Sequence, residues 1–249
     1  MTPTPPYRAA VVASLVVLAG YLLSLAPSVT FWDAGEFIAA MKILGIPHPP
    51  GTPLFIVMGH VWGHAIPFGE FAWRTNLMSA AFSAGAAGFW FLTAHEALSR
   101  MIPGTEPIDR RIRFLGAGAA SVLAAFGFTN WQNSVETEVY AVASFIIGAV
   151  TWLSFRWRAT RADEDRSGKA LVLIAYLLGV SVANHLLALL AGPAVVSFMI
   201  AHLLESPAAD PATRRREWAR MSVVAAIWLV LLGVRLGRTG LALVGLAAF

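Results

Sequence analysis

Uninterrupted apolar runs, each long enough to cross a bilayer, constrain this chain more than any other feature. Ala9 to Pro27 supplies about 19 such residues, which at 1.5 Å of rise per residue is close to the roughly 30 Å of a hydrocarbon core. Thr75–Leu98, Ile112–Phe128, Val139–Phe155 and Met221–Leu236 each read as one span. Ala170–Leu204 is about twice that length and is broken by Asn184-His185. In lipid every backbone polar group must be satisfied within the protein, so the expected fold is all-α: a polytopic helical bundle integral to the membrane. Only 13% of residues are charged, against about 25% in soluble domains, and mean hydropathy is +0.67.

Charge placement sets the expected topology. The net charge of +4 does not point to nucleic acid, because most basic residues sit in short clusters between apolar runs. Leu54–Ile66 is only about 13 residues long, short for a crossing. If it lies along the outer surface or re-enters, Arg8, the loop with Arg100, Arg110, Arg111 and Arg113, the cluster from Arg156 to Lys169, and Arg214–Arg220 all face the cytoplasm. Only Lys42, Arg74, Arg235 and Arg238 fall outside. That arrangement gives about seven spans in a single domain over residues 1–249, with a cytoplasmic N-terminus held by Arg8, as in a bacterial inner membrane. The absence of cysteine excludes disulfides, thiolate chemistry and Cys-ligated metals.

On this topology, polar residues from separate parts of the chain gather near the outer face. The stretch TFWDAGEFIAAMKILGIPHPPGTP, residues 30–53, places Asp33 and Glu36 three apart, on one side of a helix. Gly45 and Pro47 are expected to end that helix, with glycine taking the left-handed cap. A capping box from Thr30 to Asp33 is the bland reading, but it leaves Glu36 unexplained. The functional reading is a general base with a second carboxylate tuning it. Glu136 and Glu138, one residue apart in an expected extended loop, could present oxygens to one divalent cation such as Mg²⁺ or Mn²⁺, or could simply be solvated. His48 joins the group as a candidate phosphate or substrate ligand. Arg74 is either a phosphate ligand or a snorkelling side chain. Asn184 and His185 either cap a turn or bind substrate. His60 and His64, at i and i+4, could share a metal, although no third ligand is evident and an interfacial role is simpler.

The set TFWDAGEF, LGIPHPPGTPLF, FAWRTNLMSA, WQNSVETEVYA and GVSVANHLLALL resembles a family of multispanning membrane proteins linked to TMEM-type protein O-mannosyltransferases. The resemblance runs to about Leu204 and implies a GT-C-like fold with an extracytoplasmic juxtamembrane helical loop. It implies a polyprenyl-phosphate-linked sugar donor, a protein Ser/Thr or glycan acceptor, and inversion at the anomeric carbon. Asp33 with Glu36, and Glu136 with Glu138, match the family's two acidic loops. The chain stops in the apolar tail LALVGLAAF where family members continue, so it reads as a fragment or a shortened relative. A non-catalytic subunit that binds a larger membrane complex is therefore the alternative. A transporter fits less well, because its acidic residues belong near mid-bilayer on broken helices.

Overall fold

The structure, a computed structural model, describes residues 4–49 and 51–247; Pro50 of the expected rigid loop and the last two residues of the apolar tail lie outside them. Every regular element among the described residues is helical: α1 (Tyr7–Leu23), α2 (Ala34–Ile43), α3 (Pro53–Ala65), α4 (Phe71–Met101), α5 (Pro107–Ala125), α6 (Phe128–Val135), α7 (Val139–Ala159), α8 (Glu164–Val182), α9 (Leu186–Leu189), α10 (Ala191–Glu205), α11 (Pro211–Arg235) and α12 (Thr239–Ala247). The helices form two compact units, residues 1–149 and 150–249.

Four stretches are long and apolar enough to cross a membrane: α4, α7, α9 with α10, and α11. A fifth is gained if α5 and α6, bent by 67° at Phe126-Gly127, count as one span. The chain is thus an integral membrane protein with four to five candidate spans rather than seven. The shortfall has two sources. Helix α1 has 17 residues, the low end of what spans. The first turns of α8 carry Glu164, Asp165, Arg166 and Lys169, which leaves Ala170–Val182 as its apolar part. Arginine clusters expected as loops also prove to be helix ends: Arg110, Arg111 and Arg113 lie in α5, and Arg214 to Arg220 in α11. Arginine is a good helix former and its stem covers apolar surface while its head reaches water.

In the first unit, α4 is the spine. Its buried face is built from small residues, among them Ser79, Ala80, Ser83, Ala84, Ala87 and Gly88, which let α1 and α5 approach closely. A Cβ on Gly88 would sit 2.3 Å from Ser14 Oγ and 3.2 Å from the Ala10 carbonyl oxygen, so any larger residue there would make Ser14 turn and α1 give way slightly. Val17 and Tyr21 of α1 pack on Ala80, Ala84, Ala87 and Ala125, and Tyr21 donates its hydroxyl proton to the Ala125 carbonyl at 2.8 Å. Ser121 of α5 likewise donates to the Ala87 carbonyl at 2.7 Å. A partner for each buried hydroxyl is what an apolar surround demands.

The second unit is held by different means. Arg161 forks onto both oxygens of Glu217, and a further N–H reaches the Ser206 carbonyl at 2.6 Å. Trp228 of α11 donates to the Leu189 carbonyl at 2.8 Å, fixing the short helix α9. Asp163 and Asp210 cap the N-termini of α8 and α11 by accepting first-turn N–H groups.

Candidate functional site

The site is assembled on α2 and the loops that flank it. Helix α2 starts one residue after Asp33, which occupies the N-cap but makes no side-chain cap bond. Thr30 is therefore not the cap, and the capping-box reading fails: the Asp33 carboxylate is left free rather than tied to backbone. At the other end Leu44, not Gly45, takes the left-handed conformation (φ 54°), and Gly45 N–H closes the motif on the Ala40 carbonyl at 2.8 Å. The chain then turns at His48, whose carbonyl accepts from Gly51 N–H at 2.9 Å, and enters α3 through Thr52 and Pro53. Three non-glycine residues around α2 have positive φ: Trp32 (64°), Leu44 (54°) and Thr52 (34°). Strain of this kind persists only where surroundings over-determine it, and it concentrates at functional sites.

The turn delivers His48 to both acids. Its backbone N–H donates to Glu36 Oε1 at 2.6 Å, and its Nδ1 lies 2.8 Å from Oε2, so one carboxylate holds the residue at two points. Nε2 is 3.9 Å from Asp33 Oδ2. One ligand atom from each of Asp33, Glu36 and His48 lies within 4.8 Å of the others, a set that could hold a cation. Glu36 is held below the usual carboxylate range, first by the His48 side-chain bond and then by its backbone N–H. His48 is raised, first by the bond to Glu36, against a smaller desolvation effect, with the charges of Asp33, Glu36 and Glu138 adding.

The signs of these shifts fix a pH window for the turn. Glu36's contribution is complete above its ordinary value of 4.5 and is lost as pH falls through the lowered one. The contribution of His48 is complete below 6.5 and is lost as pH rises through its raised value. Corrected for intrinsic rates, amide exchange at His48 is expected to be slowest between these limits and to speed up on both sides. Glu36→Gln is expected to abolish the window; an unchanged exchange profile in that variant would remove the bond from the account.

The second acidic loop is buried, so the solvated reading of Glu136 and Glu138 does not hold: they are 8% and 6% exposed. Glu136 is extended, as expected between α6 and α7. Three polar residues at the start of α4 dock this loop. Thr137 donates to Asn76 Oδ1 at 2.6 Å and lies 2.8 Å from Thr75 Oγ1, while Glu138 N–H donates to Ser79 Oγ at 3.2 Å. Asn76 also donates to the carbonyls of Ala26 and Ser28, at 2.9 and 3.0 Å, tying down the strand that leads to Asp33. One side chain thus holds both acidic loops. Glu138 is pushed up to about 7 by burial first, then by the charges of Glu136 and Asp33, with the Val139 N–H and His48 opposing. Asp33 and His48 are therefore close enough to Glu138 for their charges to act on it.

The other candidates are placed differently. Arg74 binds backbone: its N–H groups donate to the Gly63, Phe68 and Gly69 carbonyls, which ties the end of α3 to α4. Asn184 and His185 belong to the second unit; His185 caps α9 by accepting from Leu187 N–H at 3.1 Å, and Asn184 is fully buried. His60 Nδ1 pairs with the Met41 carbonyl and His64 Nδ1 with the His60 carbonyl, at 2.7 and 2.8 Å. Sequence reading passed over Thr75, Asn76 and Ser79. The signal was there, as Thr75, Asn76 and Ser79 cluster with Arg74 in the first three turns of a largely apolar span.

Residues 33–207 match the family described as protein O-mannosyl-transferase TMEM260 N-terminal domain. The protein O-mannosyl-transferase TMEM260 of Mus musculus is 32% identical over 182 residues, 72% of this chain and 23% of the relative. The corresponding protein of Dictyostelium discoideum is 26% identical over 151 residues, 58% of this chain and 16% of its own length. The chain thus spans less than a quarter of either relative's length. No solved structure matches it.

Proposed function

The chain belongs to the TMEM260 N-terminal domain family, and from that premise we propose that it is the membrane part of a glycosyltransferase acting in protein O-mannosylation. The donor in this reading is a polyprenyl-phosphate-linked sugar, and the acceptor is a Ser or Thr hydroxyl presented at the outer face. The observation that carries the reading is the convergence of Asp33, Glu36 and His48 from one loop with buried Glu138 from another.

The roles follow from the bonding. Glu36 has both oxygens engaged by His48, so it orients rather than accepts a proton. Asp33 is the free carboxylate and takes the hydroxyl proton as general base. The acceptor oxygen bonds to the anomeric carbon as the bond from that carbon to the phosphate oxygen breaks, and polyprenyl phosphate leaves with the electron pair. His48, whose hold on a proton is raised first by its bond to Glu36, and Arg74 are the proposed phosphate contacts. Glu136 and Glu138 offer the hard oxygen ligands that Mg²⁺ or Mn²⁺ prefers.

Transfer of radiolabelled sugar from a polyprenyl-phosphate donor to a Ser/Thr peptide, in membranes carrying the protein, tests this reading. A well-folded preparation without transfer would leave the non-catalytic membrane subunit as the better account.

Glu138 gives a second handle. Its ionisation, centred at about pH 7, sets another negative charge near Asp33, where the acceptor hydroxyl gives up its proton. Transfer is expected to rise through that pH, and Glu138→Gln to flatten the rise. The stability effect has the opposite sign. The folded state keeps a proton that the unfolded state releases above 4.5, so stability falls between 4.5 and about 7. Glu138→Gln is expected to lose that fall in a melting-temperature series; an unaltered slope would show that Glu138 is not the group that titrates.

A further inference from the structure

In the second unit, α8 and α11 leave an apolar groove of about 290 Å³ between them. Leu171, Val172 and Ala175 form one wall, and Val223, Val224 and Ile227 form the other. Arg220 stands at one end, where the groove runs on into a polar recess that shares Leu171 and Arg220 and adds Arg216, Thr213 and Ser167. The recess has an excess of positive charge. Arg161 and Glu217 neutralise each other within it, with side chains only 13% exposed. Of the acids lining the recess, that leaves Glu164 against two arginines, 3.4 Å from Arg216 and 3.9 Å from Arg220, with all three side chains well exposed; Asp210, its oxygens engaged by the α11 cap, lies outside the lining and adds only a smaller interaction with Arg216. A single carboxylate at those distances cannot compensate two guanidinium groups.

An apolar slot that ends in uncompensated arginines fits a molecule with a chain at one end and an anionic phosphate at the other. We infer that the groove between α8 and α11 binds an anionic phospholipid, with its phosphate on Arg216 and Arg220 and an acyl chain along Val172 and Val223. Arginine forks match phosphate oxygens, and the groove wall lies on helices whose faces are apolar and exposed, Val172 being 71% open. The basic ends of α8 and α11 belong to the cytoplasmic side by charge bias, the leaflet in which anionic lipid attracts clustered arginine. The site is separate from the acidic loops and does not depend on the glycosyltransferase reading.

Native mass spectrometry of the full chain tests this, with phosphatidylglycerol and phosphatidylcholine of identical acyl chains as probes. Phosphatidylglycerol is expected to be retained in preference, and Arg216→Gln with Arg220→Gln to weaken it about thirtyfold. Arg220→Lys should recover part of that loss. Val223→Trp, which fills the groove and leaves the arginines in place, should also reduce retention. Glu164→Gln should increase it by removing the competing acid, which a merely structural ion pair would not do. Equal retention of the two lipids, or no response to Glu164→Gln, overturns the inference. So does preference for a polyprenyl monophosphate, or displacement by inorganic phosphate with Val223→Trp without effect. Thermal melting identifies any variant that does not fold, and Arg220→Lys and Glu164→Gln then decide the matter.

Discussion

Asp33→Asn is expected to lower sugar transfer by about two to four orders of magnitude while leaving the protein folded, the range that a positioned general base contributes. The side chain is 59% exposed and makes no cap bond, and its ionic partner His48 lies 3.9 Å away, so little packing is lost. The loss should fall on kcat with KM nearly unchanged, because a proton acceptor acts in the transition state rather than in substrate binding. Glu36→Gln makes the contrasting case. It releases His48 at both hydrogen bonds, so KM and kcat should shift together as the turn loosens. A variant with asparagine at position 33 that transfers at the wild-type rate would remove Asp33 from the chemistry.

Asn76→Leu is expected to be the most damaging single change to stability in the first unit, at about 3 kcal/mol. The leucine fills similar space but leaves the Ala26 and Ser28 carbonyls without their donor and takes one acceptor from Thr137. Thr137 keeps its bond to Thr75 at 2.8 Å, and the two carbonyls are only partly buried, which holds the cost below the sum of three orphaned groups. Thermal or denaturant melting in detergent measures it. Transfer should fall as well, because both acidic loops lose their common anchor. A variant with wild-type melting would show that the two loops are held by other means.

The membrane character and the helical class were legible because lipid permits few alternatives, and apolar runs of span length report on it directly. Boundaries were less legible. Arg110 and Arg111 looked like loop residues but lie in α5, since arginine favours helix and a charge count does not distinguish a solvated helix end from a loop. The nearness of Asp33 to Glu36 could be read from helical spacing alone. The binding of His48 to Glu36 could not, because it depends on a turn set by Leu44 at φ 54°, a conformation that nothing in a leucine announces. Arg74 shows the converse. Charge near the expected outer face left a phosphate ligand and a snorkelling side chain both open, and gave no sign that the guanidinium also binds three backbone carbonyls at the end of α3.

The left-handed residues Trp32, Leu44 and Thr52 bracket α2 and its flanking loops on both sides. Each is a place where the polypeptide would relax to a commoner shape if its neighbours let go, and none can relax without carrying Asp33 or His48 with it. The shape of this ledge is therefore set by what surrounds it more than by its own backbone preferences. A helix partner lost on either flank would be felt at the Asp33 carboxylate and the His48 imidazole together.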